Sequence, residues 1–234
     1  MFNTMKVLAI IPARGGSKGI PNKNIKLLND KPLIQYTIEV ANNSKYIDDV
    51  VVSTDSDTIA SISMELGVQV IKRPSELSGD TALVVDAVRY TIDSLEKEQK
   101  VYDIFLLLEP TSPLRTKEII DECIEKFLND KVESVTTFTE VSVPPHRIWR
   151  LKDQSVEPFI DDANPWLPRQ KLEIGYQLNG LVYALRTTSF KNMKKSNSLL
   201  TEKITPVITT RNISIDIDDM DDFRYVEFLM KQKV

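Results

Sequence analysis

Hydrophobic positions in the first half of the chain fall into two alternating patterns, short unbroken runs and helically spaced sets. Val7 to Pro12 is a run of six apolar residues, too short for a helix and without helical spacing, which predicts a strand buried in a parallel sheet. Pro32–Ala41 has apolar residues at helical spacing, with proline where a first turn tolerates it. Asp49–Asp55 is a second, β-branched strand. Asp55 or Ser56 is placed to cap a helix over Thr58–Leu66, Gly67 ends that helix, and Val68–Ile71 is a third strand. This β-α-β-α-β alternation with short connections predicts an α/β fold, a mostly parallel sheet with helices on both faces.

The same rhythm continues. The loop Arg73–Ala82 leads into a helix over Leu83–Glu96, with Asp80 or Thr81 expected as its N-cap. Asp103–Leu108 is the next strand and delivers Glu109-Pro110-Thr111-Ser112-Pro113-Leu114-Arg115 at its carboxyl end. Arg115 is placed either to reach a phosphate or to pair with a nearby acid. Thr116 caps a helix through Leu128, and Ser134–Thr139 is another strand. From Val141 to about Gly175 the alternation stops, and prolines, tryptophans and short polar runs predict a protruding hairpin or arm. Exposed Trp149, Phe159 and Trp166 on such an arm suit a subunit contact. Strand character returns over Tyr176–Leu185, where Asn179-Gly180 is a turn or bulge signal. Lys191–Lys195 is expected to be a solvated face, and Ile204–Ile208 an edge strand.

At 234 residues the chain is long enough for one domain, 1–234, carrying the arm at 140–175 as an insertion. The net charge of −4 argues against a nucleic-acid binder. An acidic protein that binds an anion must concentrate its cations locally. A lone cysteine, Cys123, excludes an internal disulfide, and a lone histidine, His146, excludes a histidine metal cluster. No leader and no membrane-spanning apolar run is present, so a cytoplasmic protein without membrane partners is expected.

The local cation concentration lies directly after the first strand. Pro12-Ala13-Arg14-Gly15-Gly16-Ser17-Lys18-Gly19-Ile20-Pro21-Asn22-Lys23-Asn24 combines three glycines with Arg14, Lys18 and Lys23. Glycine lets backbone N–H groups approach an anion, and the cations neutralise it. Open α/β sheets bind ligands beyond the carboxyl ends of their strands, so the loop is expected to hold a polyphosphate. It is neither a Walker loop, since Lys18 precedes Gly19 rather than following a glycine, nor a dinucleotide fingerprint, since Gly15, Gly16 and Gly19 have the wrong spacing. At the far end, five aspartates fall within residues 216–222. In extended chain Asp216 and Asp218 point to the same side, a pair of hard oxygen donors suited to Mg²⁺ with room for waters and phosphate oxygens. Asp219, Asp221 and Asp222 are expected as favourable charges in the first turn of a helix running to Lys231.

The Pro12–Asn24 run resembles the signature of the acylneuraminate cytidylyltransferases, the CMP-sialic acid synthetases. Glu109–Arg115, Asn179-Gly180 and Ile215-Asp216-Ile217-Asp218 are similar to that family's later motifs, in the same order. The resemblance implies a three-layer Rossmann-like nucleotidyltransferase fold with a protruding dimerisation arm, acting as a homodimer. It implies transfer of CMP from CTP to an acidic nine-carbon 2-keto-3-deoxy sugar, with Mg²⁺ on Asp216 and Asp218. The base would be read near Leu8–Ala13 and by Asn24. Arg14, Lys18 and Lys23 would hold the phosphates, Gly15 and Ser17 would contact the nucleotide with them, and Asp80 and Thr81 would lie on a nucleotide-contacting loop. Arg14, Lys18 and Asp218 would carry the catalytic charge stabilisation. Glu109, Arg147, Arg169, Gln170, Tyr176 and Asn179 would face the sugar. Two departures bear on which sugar: Glu109 stands where the family usually has glutamine, and Pro168 replaces the first arginine of an Arg-Arg-Gln motif. Glu109 then either prefers an N–H-bearing sugar or helps hold the metal. A legionaminic, pseudaminic or KDO-type acid in place of sialic acid, or a non-catalytic nucleotide-binding regulator, are the alternatives. The general base is not assigned; a water or hydroxyl bound at the aspartate-held metal is the first candidate.

Overall fold

The first strand, β1 (Val7–Pro12), lies in the interior of a seven-stranded sheet. The computed structural model describes residues 5–129, 131–193 and 198–232; Lys194 and Lys195, the end of the expected solvated cationic face, lie outside them. Alternate β1 residues supply the two faces of the core. Ala9 and Ile11 pack with Ile34 and Ile38 on one side, and Leu8 and Ile10 pack with Val88 and Ile92 on the other. A strand buried on both faces has no polar side to show, which is why its sequence is an unbroken apolar run.

After β1 come the short pair β2 (Leu27–Leu28) and β3 (Lys31–Pro32), then α1 (Leu33–Asn42), β4 (Asp49–Thr54), α2 (Asp57–Glu65) and β5 (Gln69–Lys72). They are followed by α3 (Val84–Lys97), β6 (Ile104–Leu107), α4 (Lys117–Glu125), β7 (Ser134–Glu140), β8 (Trp149–Lys152) and β9 (Ser155–Pro158). β10 (Tyr176–Arg186), α5 (Thr187–Asn192), β11 (Ile204–Thr209) and α6 (Met220–Gln232) complete the chain. The sheet order is β11-β7-β10-β6-β1-β4-β5. β10 runs antiparallel to β6 and β7, and the remaining pairs are parallel. From β1 the chain builds outward through β4 and β5, then crosses to lay β6 on the opposite flank. The order therefore reverses between β1 and β6, and a crevice opens at their carboxyl ends.

The caps differ in part from expectation. Ser56 caps α2 by accepting the Ile59 N–H at 3.4 Å. Leu83, rather than Asp80 or Thr81, is the N-cap residue of α3 and makes no side-chain cap bond. Asp80 is engaged instead by cations of the first loop.

A third apolar cluster governs the site. Ile20 and Leu28 from the first loop region meet Leu114, Ile217, and Phe223 and Val226 of α6. Burying these groups together draws the two ends of the chain to one edge of the sheet. Between β7 and β10, the β8–β9 ribbon and its flanking loops project apolar side chains outward, with Leu151 77% and Trp166 90% exposed.

Candidate functional site

The crevice beyond β1 and β6 is an open cleft of about 450 Å³. Arg14, Ser17, Lys18, Gly19, Lys23 and Asn24 form one wall, and Arg73, Ser78, Gly79 and Asp80 a second. Glu109, Pro110, Thr111, Asp216 and Asp218 form the third.

Backbone and side-chain bonds fix the first loop from below. Ala13 N–H donates to the Ser53 carbonyl at 2.9 Å and Gly15 N–H to Asp55 Oδ1 at 3.0 Å. The buried Asn24 amide donates to the Arg14 carbonyl at 3.0 Å. The placement of the expected nucleotide contacts is uneven. Leu8 lies in mid-strand, paired with Asp49 and Phe105, about 13 Å short of the strand's end at ~3.3 Å per residue. Ala13 and Gly15 have their N–H groups already engaged, so they shape the loop rather than offer donors to the cleft. Thr81 is exposed and does not line the cleft.

Three loop cations and one more face the cleft. Asp80 holds Arg14 at 3.4 Å and Lys18 at 3.2 Å, both solvent-accessible pairs that an incoming anion can replace at small cost. Arg73, at the end of β5, was not singled out in the sequence. It is buried against the cleft, with Nε donating to Ser78 Oγ at 2.8 Å. Burial lowers its pKa, the Asp55 charge opposes that, and the like charge of Arg14 adds to it. The available signal was positional: a cation just past the carboxyl end of a parallel strand.

The acidic wall is built around one buried residue. Ile217 packs into the third cluster, its N–H donating to the Thr111 carbonyl at 2.9 Å and its carbonyl accepting from Lys23 Nζ at 2.6 Å. Asp216 and Asp218 flank it in sequence and therefore turn the other way, into the cleft. The segment is irregular rather than a strand, but the alternation holds. Lys23 Nζ lies 3.8 Å from Asp218 Oδ1. Asp219 does more than place charge near α6: its Oδ1 accepts the N–H groups of Asp221 and Asp222 at 2.8 and 3.0 Å. In return Asp222 Oδ2 accepts from Asp218 and Asp219 N–H at 3.0 and 3.2 Å, a reciprocal capping box that holds Asp218 in place. Those backbone bonds lower the Asp219 pKa.

Glu109 completes this wall. Desolvation and the like charge of Asp216 raise its pKa to about 7, with Arg115 and Lys23 opposing. Asp216 opens into the cleft and so stays in reach of water, yet the enclosing walls raise its pKa, chiefly by desolvation and then by the Asp218 charge, against a bond from Thr111. Crowded carboxylates of this kind favour a cation between them. Among the described residues no three acidic, cysteine or histidine side chains converge as an all-protein metal site. A carboxylate pair suits Mg²⁺ nonetheless, because that ion keeps most of its shell for waters and phosphate oxygens.

Behind Glu109, Arg115 is fully enclosed and reaches neither a phosphate position nor an acid. It donates to the Leu181 carbonyl, to Thr37 Oγ1 at 3.2 Å and to the Glu109 carbonyl at 2.8 Å. Burial lowers its pKa to about 10. Asn179, expected to line a sugar pocket, is buried as a hub between strands. Its Oδ1 accepts from Thr137 Oγ1 and its Nδ2 donates to Thr209 Oγ1, both at 2.7 Å. Arg147, Arg169, Gln170 and Tyr176 are exposed and outside the cleft of their own chain. Arg147 donates to the carbonyls of Pro165 and Leu167 at 3.1 Å each, bracing the projecting segment.

Residues 8–202 match the cytidylyltransferase family model. The chain is 35% identical over 224 residues to an N-acylneuraminate cytidylyltransferase of Streptococcus agalactiae serotype V, covering 95% of this chain and 52% of that protein. The chain thus spans about half the length of that relative. It is 36% identical over 238 residues to the CMP-N,N'-diacetyllegionaminic acid synthase of Legionella pneumophila, covering 97% of each. Among solved structures, CMP:2-keto-3-deoxy-manno-octonic acid synthetase complexed with CTP superposes with a TM-score of 0.72 at 19% identity, covering 98% of this chain and all of that one. That likeness speaks for the fold alone.

Proposed function

The chain belongs to the cytidylyltransferase family, and from that premise we propose that it transfers CMP from CTP to a 2-keto-3-deoxy acid sugar of the sialic or legionaminic kind. The anomeric hydroxyl oxygen forms a bond to the α-phosphorus, the bond from that phosphorus to the β-phosphate oxygen breaks, and pyrophosphate leaves. The hydroxyl proton passes to solvent or to an acceptor in the cleft.

The observation that carries this reading is one cleft shared by Arg14, Lys18 and Lys23 on one wall and Asp216 and Asp218 on another. Arg14 and Lys18 exchange Asp80 for phosphate oxygens and stabilise charge on the departing pyrophosphate. Arg73 and Ser17 add donors on the same side. Lys23 holds the acidic segment against the loop, so both halves keep their spacing when the nucleotide binds. Asp216 and Asp218 would hold Mg²⁺, which when bound supplies charge neutralisation at the phosphates. Catalysis is then largely positioning and electrostatics.

The projecting segment between β7 and β10, with its exposed aromatics, supports a homodimer in which Arg147, Arg169 and Gln170 serve the neighbouring subunit's sugar. A cytoplasmic location is part of the same proposal; no described helix is long and apolar enough to cross a membrane. The test is pyrophosphate release from CTP and Mg²⁺ across a panel of eight- and nine-carbon 2-keto acids. Release with a nine-carbon acid is expected. CTP binding without release from any acid favours a regulator on the same scaffold and ends this reading.

A further inference from the structure

Asn179 is buried, and all four hydrogen-bonding positions of its amide are filled. Its Oδ1 accepts from Thr137 Oγ1 at 2.7 Å and from the Leu181 N–H at 3.3 Å. Its Nδ2 donates to Thr209 Oγ1 at 2.7 Å and to Ser214 Oγ at 3.1 Å. Those two hydroxyls lie 2.8 Å apart, and Ser214 Oγ donates to the Thr210 carbonyl at 2.7 Å. A β-branched apolar residue would suit a buried strand position without needing partners, whereas an amide is stable there only with its bonds made. A buried polar network that is fully satisfied holds one geometry against displaced ones.

β10 is reshaped to deliver this amide. Its pairing with β7 shifts register between Leu178 and Tyr183, and Gly180 within that stretch has φ 71°. Bulges of this kind re-aim a side chain beside a site. Here Asn179 reaches past β7 to the end of β11 and to the turn that follows, Arg211–Ile213. Ser214 closes that turn, two residues before Asp216. Arg211 Nε of the same turn donates to the Glu140 carbonyl at 3.1 Å. Downstream, the acidic segment is fastened at Ile217 and Asp218. Asp216 stands between the two fastenings.

We infer that Asn179 and Ser214 are positioning residues for the acidic wall: through the turn after β11 they fix how Asp216 enters the cleft beside Asp218. Neither lines the cleft itself. The role rests on the proposed Mg²⁺-assisted cytidylyltransfer and deepens it by naming what sets the spacing of the two carboxylates. Mg²⁺ demands near-ideal octahedral geometry and Ca²⁺ tolerates a looser one, so a slack Asp216 weakens Mg²⁺ more.

Ser214→Ala removes the hydroxyl that joins the amide to the turn, and Ser214→Thr keeps it. The full chain of each variant is loaded with a non-hydrolysable CTP analogue and titrated with Mg²⁺ and with Ca²⁺ by calorimetry. Binding of the analogue alone is measured in chelator, and pyrophosphate release from CTP and a nine-carbon 2-keto acid is followed against Mg²⁺ concentration. Ser214→Ala should weaken Mg²⁺ binding, and raise the Mg²⁺ needed for half-maximal release, by about tenfold, the size typical of lost support behind metal ligands. Ca²⁺ binding should weaken by less than about threefold, and analogue binding in chelator should stay within about twofold, because the cationic walls are untouched. Ser214→Thr should return each value to within about threefold of wild type. Asn179→Ala should match Ser214→Ala where circular dichroism shows it folded; where it does not fold, the Ser214 pair decides. A Ser214→Ala protein that melts earlier yet binds Mg²⁺ as the wild type does makes the network purely structural and overturns the inference, with the reaction left standing. So does an equal loss of analogue binding in chelator, which would mean a deformed cleft. Wild type that releases no pyrophosphate with any acid sugar overturns the reaction, and the inference with it.

Discussion

Gly19 lies directly against the backbone carbonyl of Asp218, so close that a Cβ on Gly19 would overlap the oxygen. The contact joins the cationic loop after the first strand to the acidic segment before the last helix. Lys23 fastens the same joint through the Ile217 carbonyl and Asp218. Ile20 and Ile217 share the apolar cluster beneath it. Gly19→Ala must push the acidic segment away from the loop. Turnover is expected to fall at least tenfold, since displacements of about 1 Å cost that much or more in positioned phosphoryl transfer. The core clusters around β1 do not depend on this contact, so the thermal midpoint should drop by only a few degrees. Pyrophosphate release alongside a melting curve checks both halves, and full activity in Gly19→Ala would contradict the joint.

Arg14→Ala and Asp218→Asn remove charge from opposite walls of the cleft. Each is expected to abolish most turnover, by roughly 10²-fold or more, while the circular dichroism spectrum stays that of the wild type. Both side chains are at least partly exposed, so neither loss opens a cavity in the core. Retained pyrophosphate release in either variant removes that residue from the proposed chemistry.

Much of the sheet was legible because its signal is local. Val7–Pro12 and Ile104–Leu107 read as buried strands from their own composition, and Asp216 and Asp218 read as a pair from the period of extended chain. What stayed hidden depends on partners far away in sequence. Asp80 has the right offset and chemistry for a helix cap, yet Arg14 and Lys18, brought in on the loop after β1, engage it instead. Asn179-Gly180 gives a turn signal, but only the meeting of β10, β7 and β11 shows that Asn179 ties strands together. Arg73 carries no motif, and its place in the cleft follows from strand order.

Glu109 should leave a mark on stability as a function of pH. Its folded pKa of about 7 lies above its ordinary value of 4.5, so the fold favours the protonated form. The stability this contributes is complete below about pH 4.5 and is lost as pH rises through about 7. Desolvation pushes in that direction first and the charges of Asp216 and Asp218 add to it, while Arg115 and Lys23 restrain it. Denaturant titrations in chelator should show wild type losing up to roughly 3 kcal/mol relative to Glu109→Gln across that window. Parallel curves for the two proteins would mean that the carboxylate is ionised without penalty.

The segment between β7 and β10 supplies the last prediction. Trp166, Leu151 and Phe159 are 90%, 77% and 61% exposed, on a two-stranded ribbon, marginal by itself, and the loop that follows it. Apolar groups gathered on a projection of this kind gain stability when a second surface covers them. A second copy of the chain is the proposed partner, and it would bring Arg147 and Arg169 toward a cleft that their own chain leaves without them. Light scattering at assay concentration should give the mass of two chains. Leu151→Glu combined with Trp166→Glu should shift the protein toward one chain and raise the KM for sugar more than that for CTP, because the nucleotide walls come from a single chain. A monomeric wild type with full turnover would show that the ribbon has another use.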